Sequence, residues 1–158
     1  PWRFVVIRDA DSRRRIGQYY RRAWDHTYGE KATTPPSIDP RIKSSAAHLA
    51  ETMHLVPVLI MVCIESGESP SAFGAGASIF PAVQNLLLAA RGLGLGSVLT
   101  TIHKRYEREI KELLEIPDTV ETVALVPIGY PAEGVRFGPT RRRPYEEVTH
   151  WERWGLQS

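Results

Sequence analysis

Two stretches of the chain hold residue types that could do chemistry. One is Arg141-Arg142-Arg143-Pro144. Pro139 and Pro144 bias this segment toward extended backbone, and Pro144 keeps Arg143 out of the α region. In extended chain, residues i and i+2 project to the same side. Arg141 and Arg143 then converge with Arg142 opposite, and two guanidinium forks meeting at one point suit a phosphate. The same triplet also reads as an ordinary solvated basic face. The other stretch runs from Ser78 to Thr101. Ile79-Phe80-Pro81-Ala82 offers a rigid apolar edge, and Leu99-Thr100-Thr101, following Gly94 and Gly96, offers backbone amides at a strand end. A planar redox ring needs both a flat apolar seat and donors near the atom that takes up charge. Taken alone, these residues are also ordinary core followed by a C-cap glycine.

Other chemistries find little support. No glycine-rich dinucleotide fingerprint follows a strand, and there is no Walker A loop. His26, His48, His54, His103 and His150 show no metal-ligand spacing with the single cysteine, Cys63, so no metal site is expected. No serine occupies a Gly-x-Ser-x-Gly elbow. The net charge of +2 is too small to argue for a nucleic-acid partner. Cys63 lies in an apolar run and reads as a buried, inert thiol. No apolar run reaches the length of a membrane span and no signal peptide is visible, so a cytoplasmic protein without membrane contact is expected.

These residues must be positioned by a fold. The 158 residues suit one domain, and 42% apolar with 24% charged residues is ordinary for a globular chain. Ile79, Val83, Leu86, Ala90 and Leu93 form one helical stripe, with Leu87, Leu88 and Ala89 filling much of the remaining surface. This predicts a central helix from about Ser78, apolar almost all round, with Pro81 in its first turn and Gly92, Gly94 and Gly96 ending it. Phe4–Ile7 and Val58–Ile64 are continuous apolar runs of the kind found in central strands. Ser97–Thr101 and Val120–Tyr130 complete the strands, and Pro127 implies an edge or a bulge in the last one. Helices are predicted from Arg13 to about Trp24, capped by Asp11 or Ser12, from Ser44 or Ser45 to Met53, and from Lys104 to Leu114. The pattern dissolves over residues 26–41, either as a lid or as a surface excursion. Residues 131–158 read as a wrapping tail. The order of elements predicts an α+β or α/β domain. A strand that begins almost at Pro1 leads us to expect a segment ahead of it in the natural protein.

At these residues the chain resembles the nitroreductase family of FMN-dependent oxidoreductases. Pro1-Trp2-Arg3-Phe4-Val5-Val6-Ile7 is similar to the end of that family's early N-x-Q-P-W-x-F segment. Ser78 to Thr101 resembles its central signature, PA-x-x-N-L-L-L-A-A-x-x-L-G-L-G-S. Arg141-Arg142-Arg143-Pro144, with Val148-Thr149-His150-Trp151 and Trp154, resembles its C-terminal phosphate-binding tail. The resemblance runs from Pro1 to about Trp154. Family members carry a further helical segment ahead of the Pro-Trp pair, with an arginine-rich phosphate motif, and the likeness here begins after it.

The resemblance implies an α+β fold, a mixed β-sheet flanked by helices in an intertwined homodimer, with FMN at the subunit interface. It implies ping-pong transfer of a hydride from NAD(P)H through the flavin to nitroaromatics, quinones or similar electron-poor acceptors. No side chain is assigned a catalytic role, because the flavin N5 carries the chemistry. Phe80, Pro81 and Ala82 are expected along the ring, amides around Leu99, Thr100 and Thr101 at its N5 and O4 edge, and Arg141 and Arg143 on the phosphate. Residues 24–43 are expected to form the lid. Two alternatives stay open. One is a non-catalytic flavin-binding or sequestering protein, or a truncated remnant. The other is a different flavin reaction on the same scaffold, such as dehalogenation or destruction of the flavin.

Overall fold

The computed structural model describes residues 2–29, 39–65, 72–135, 137–138 and 142–156. Strand β1 (Trp2–Ile7) leads through Arg8-Asp9 into helix α1 (Ala10–Tyr28). The helix starts earlier than its apolar stripe suggests because Asp9 is the cap, its carboxylate accepting the Ser12 amide at 2.8 Å. Helix α2 (Pro40–Thr52) starts in the same way: Asp39 accepts the Arg41 amide at 2.8 Å, and Pro40 takes the first helical position. The two flanks of the expected 24–43 lid are therefore helical, Trp24–Tyr28 in α1 and Pro40–Lys43 in α2; residues 30–38 lie outside the described residues. Strand β2 (Val58–Glu65), helix α3 (Ala72–Gly92), strand β3 (Gly96–Ser97), helix α4 (Glu107–Leu114) and strand β4 (Val120–Gly129) follow, with a short 3-10 turn at Ile102–Tyr106 before α4.

The strands form one sheet in the order β1-β2-β4-β3. Helices and sheet together make the expected α+β class. Every pairing among the described strands is antiparallel, so the parallel member that would make the sheet mixed is not among them. β2 and β4 are the central strands. β1 is an edge strand, contrary to the expectation from its uniformly apolar residues, and Trp2, Phe4 and Val6 stay exposed.

Pro127 sits in the interior of β4, and its missing N–H is not one that the β2 ladder needs. Leu125 donates to Thr100 at 2.9 Å, so the Pro127 nitrogen two residues on faces the same neighbour. On that side pairing is interrupted: Ser97 pairs with Ile128 and Thr100 with Leu125, while Val98 and Leu99, opposite Pro127 and Val126 in the same register, are unpaired between them. The interruption expected at Pro127 is thus a gap in the β3 ladder. Its consequence is that Val98 and Leu99 carry no ladder pairing.

Alternation along the strands makes two cores. On one face Leu59, Met61, Cys63 and Leu125 pack against Ile16, Tyr20 and Trp24 of α1, Met53 beyond α2 and Ile110 of α4. On the other, Val62, Ile64, Ala124 and Val126 pack against Ile79 and Val83 of α3. A bulge between Val62 and Cys63 shifts the β2–β4 register.

Helix α3 departs from expectation in two ways. It begins at Ala72, so Pro81 lies in its interior and not in its first turn. It is also far from buried all round: Ile79, Val83 and Ala90 are buried, whereas Phe80 is 44%, Leu88 57% and, just past the last turn, Leu93 75% exposed. Its end is as predicted. Gly94, at φ +75°, closes the helix with the paired bonds Leu95 N–H to Ala90 O (2.9 Å) and Gly94 N–H to Arg91 O (3.0 Å). The described part of the 131–158 tail is largely exposed, and the Arg91 guanidinium lies 3.4 Å from the Phe137 ring centroid.

Candidate functional site

A cavity of about 650 Å3 opens beside the Val98–Ile102 segment. Its walls come from three places. Helix α1 supplies Tyr20, Trp24 and Tyr28, spaced four apart and so stacked along one helix face. Trp24 and Tyr28 touch, with centroids 4.7 Å apart. Helix α2 supplies Ile42, Ala46 and Leu49, and the Val98–Ile102 segment supplies Val98, Leu99 and Thr100. The lining is mostly apolar with a few polar groups, the usual make-up of a small-molecule site.

One buried bond fastens the cavity floor. The Tyr20 hydroxyl and Thr100 Oγ1 are 2.8 Å apart, and both residues are buried. Burial pushes the Tyr20 phenol up, against the pull of the Thr100 bond, so it keeps its proton. Thr100 is held on its other side as well: its amide donates to Leu125 O at 3.0 Å and its carbonyl accepts from Leu125 N.

A second polar cluster lies below, between the 3-10 turn and β4. Glu107 accepts from both Thr122 N–H (2.9 Å) and Thr122 Oγ1 (2.7 Å), and pairs with Lys104 at 2.6 Å. Partial burial opposes ionisation of Glu107, but Lys104 and Thr122 outweigh it and hold the carboxyl below its usual range. The single Thr122 hydroxyl proton is given to Glu107. Its oxygen therefore accepts from His103 Nε2–H at 3.2 Å, which leaves His103 Nδ1 unprotonated, buried and without a partner among the described residues. Burial first, then the Lys104 charge, push His103 down to about 4, so it is neutral near pH 7. None of this cluster lines the cavity. Cys63 is inert as expected: burial pushes its thiol up to about 11.

The expected site residues are distributed unevenly. Leu99 and Thr100 line the cavity, and Thr101 follows on an exposed stretch. The amides of Leu99 and Thr101 donate to no described residue, but the Thr100 amide is spent on Leu125, which corrects the expectation that all three face a ring. Phe80, Pro81 and Ala82 are not beside them. They lie on α3, across the sheet from the cavity, with Phe80 and Pro81 exposed. Arg143 is exposed; Arg141 lies outside the described residues, so the alternating geometry of the basic triplet stays an expectation. The α1 and α2 walls were missed. The four-residue spacing of Tyr20, Trp24 and Tyr28 was the available signal.

The residues present fit a planar heteroaromatic ring such as that of FMN: aromatic and aliphatic walls, with the unspent amides of Leu99 and Thr101 at one end. Among the described residues no group of histidine, cysteine and carboxylate side chains could hold a metal ion, and no helix is long and apolar enough to cross a membrane.

The sequence profile of the "Nitroreductase family" matches residues 1–130. The chain is 32% identical over 162 residues to a Methanothermobacter thermautotrophicus protein named "Putative NADH dehydrogenase/NAD(P)H nitroreductase", covering 98% of this chain and 66% of that protein, just under two thirds of its length. The fold is similar to that of an iodotyrosine deiodinase crystallised with FMN and 3-iodo-L-tyrosine: the TM-score is 0.66 at 26% identity, over 91% of this chain and 74% of that one. A Bacteroides thetaiotaomicron protein with the same name as the Methanothermobacter one has a TM-score of 0.69 at 22% identity, over 98% of this chain and 73% of its own, a likeness of fold alone.

Proposed function

The chain belongs to the nitroreductase family, and from that premise we propose that it is an FMN-dependent oxidoreductase that takes a hydride from NAD(P)H and delivers it to nitroaromatics, quinones or related electron-poor acceptors in ping-pong fashion. The observation that carries this reading is the aromatic-walled cavity ending on the Val98–Ile102 segment, with two amides at its end that no described residue uses. A flavin bound there supplies the hydride-accepting and hydride-donating centre, so no side chain need serve as one. The chain's own work is then to seat the ring, through Leu99 and Thr100, to present the Leu99 and Thr101 amides to its polar edge, and to hold its phosphate with Arg141 and Arg143.

The cavity and the Phe80-Pro81-Ala82 edge lie on opposite faces of the sheet. We therefore read the site as completed by a second copy of the chain, whose Phe80, Pro81 and Ala82 reach the ring of the first. The exposed apolar side chains of α3 and of β1 suit that homodimer. A second reading, reductive dehalogenation, is supported by the likeness to an FMN-bound iodotyrosine deiodinase.

Titration of FMN into the purified protein, followed by NADH or NADPH under nitrogen, tests the reading. Bound flavin that bleaches with either donor and recovers its visible band on adding a nitroaromatic is the expected result. Absence of FMN binding overturns the flavoprotein assignment. Bound flavin that neither donor reduces leaves a binding protein and no enzyme.

A further inference from the structure

The cavity wall on α2 is two-toned. Ile42, Ala46 and Leu49 form its apolar stripe, and directly beside it Arg41, Ser45 and His48 form a polar one at the same helical spacing. Lys43 adds a second full positive charge to the lining. No aspartate or glutamate lines the cavity among the described residues. Among the described residues neither the Arg41 nor the Lys43 side chain forms an ion pair; the adjacent Asp39 carboxylate caps the helix by accepting the Arg41 amide at 2.8 Å and does not line the cavity. In a chain whose net charge is only +2, this is a local excess of one sign at the mouth of an aromatic-walled space. The opposite wall, Tyr20, Trp24 and Tyr28, gives faces on which a ring can stack.

We propose that the acceptor of this site is an aromatic anion, a ring bearing a carboxylate, held by Arg41 and Lys43 at the rim while the ring lies between the α1 aromatics and the Ile42-Ala46-Leu49 stripe. This rests on the functional reading above and narrows its substrate class. The guanidinium of Arg41 matches a carboxylate through two parallel hydrogen bonds, and Lys43 adds a point charge. Among the described residues an acceptor's ammonium group would meet two like charges and no carboxylate in the lining, which favours an anion over a cation.

Two ligands that differ only in charge test it: 4-nitrobenzoate and its methyl ester. Calorimetric titration of each into FMN-loaded protein is compared between the native chain and the double variant Arg41→Gln/Lys43→Gln, whose sites are exposed, so that its fold should stay intact and can be checked by circular dichroism. The double variant is expected to lose roughly tenfold in affinity for 4-nitrobenzoate, with less than a twofold change for the ester. Added salt should weaken only the native chain's binding of the acid. Equal losses for both ligands, or no loss for either, would each overturn the proposal. The two readings fail separately. If neither NADH nor NADPH reduces the bound flavin, the oxidoreductase assignment falls, while the affinity ratio still decides whether the rim recognises the anion.

Discussion

The two faces of the sheet are closed to different degrees. Behind β2 and β4, the face under α1, α2 and α4 is sealed: Ile16, Met53, Leu59, Met61, Ile110 and Leu125 have no exposed surface. The face under α3 is half finished. Ile79 and Val83 are buried, but Trp2, Phe4 and Val6 at the β1 edge, Phe80 and Leu88 on the helix and Leu93 just past its end remain open. Both faces are equally apolar in sequence. Hydrophobicity thus marks what avoids water; whether the cover comes from the same chain or another is decided by how many elements are left to supply it. On our reading the sealed face makes the fold and the cavity, and the open face makes the assembly.

Substitutions can break that contrast. Met61→Ala, on the sealed face, should cost about 2–5 kcal/mol in urea unfolding and leave the sedimentation coefficient unchanged. Leu88→Glu, on the open face, should leave each chain folded, shift sedimentation toward the monomer, and make the apparent stability depend on protein concentration. A dimer unmoved by Leu88→Glu would remove the open face from the interface.

The buried polar cluster of the sealed face sharpens the contrast through pH. Folded His103 has a depressed value of about 4, against about 6.5 unfolded. As pH falls through that window the unfolded chain takes up a proton that the folded one refuses, so stability is full above about 6.5 and declines toward 4, by an amount of the order of 3 kcal/mol. Glu107, depressed below its ordinary value, adds a further loss at lower pH still, as its own carboxyl protonates. Urea midpoints at pH 7 and pH 5 should differ for the native chain and nearly coincide for His103→Gln. An unchanged slope in that variant would move the effect elsewhere.

Smaller effects follow at the cavity and at the surface. Tyr20→Phe strands the buried Thr100 hydroxyl and should cost about 1–2 kcal/mol in thermal unfolding. A neutral result would mean that water replaces the phenol. Glu112→Ala removes only the pair with Arg108, whose side chains are 82% and 69% exposed, and should change the unfolding midpoint by nothing measurable.

Much of this was legible in advance where one signal dominates. The apolar run Val58–Ile64 could only be a strand covered on both sides, and the Gly94 helix stop follows from the need for a left-handed residue there. Errors arose where signals compete. The alanine- and glycine-rich start of α3 looks like loop, so its first turn was set at Pro81 when it lies at Ala72. β1 has the composition of a central strand but the position of an edge. Composition reports cover, and cover from outside the chain looks the same as cover from within. At the cavity, Leu99 and Thr100 follow the helix as their sequence places them, but the fate of the Thr100 amide depends on Leu125, a partner set by tertiary register. The basic stripe on α2 was invisible for the same reason: Arg41 and His48 are unremarkable until α1 is placed opposite them.

Pro81 carries a consequence for motion. Inside α3 it cannot donate to the carbonyl one turn back, at Ala77, so the helix lacks one rung of its ladder near its midpoint. The segment after it is pinned to the sheet through Val83, Leu86 and Leu87, whereas the segment before it has Ile79 as its described anchor in that core. Helix opening is cooperative only across an unbroken ladder, so the two halves should exchange their amide hydrogens as separate units, the first far faster than the second. The Phe80 edge lies at that seam, on the half that is freer to breathe.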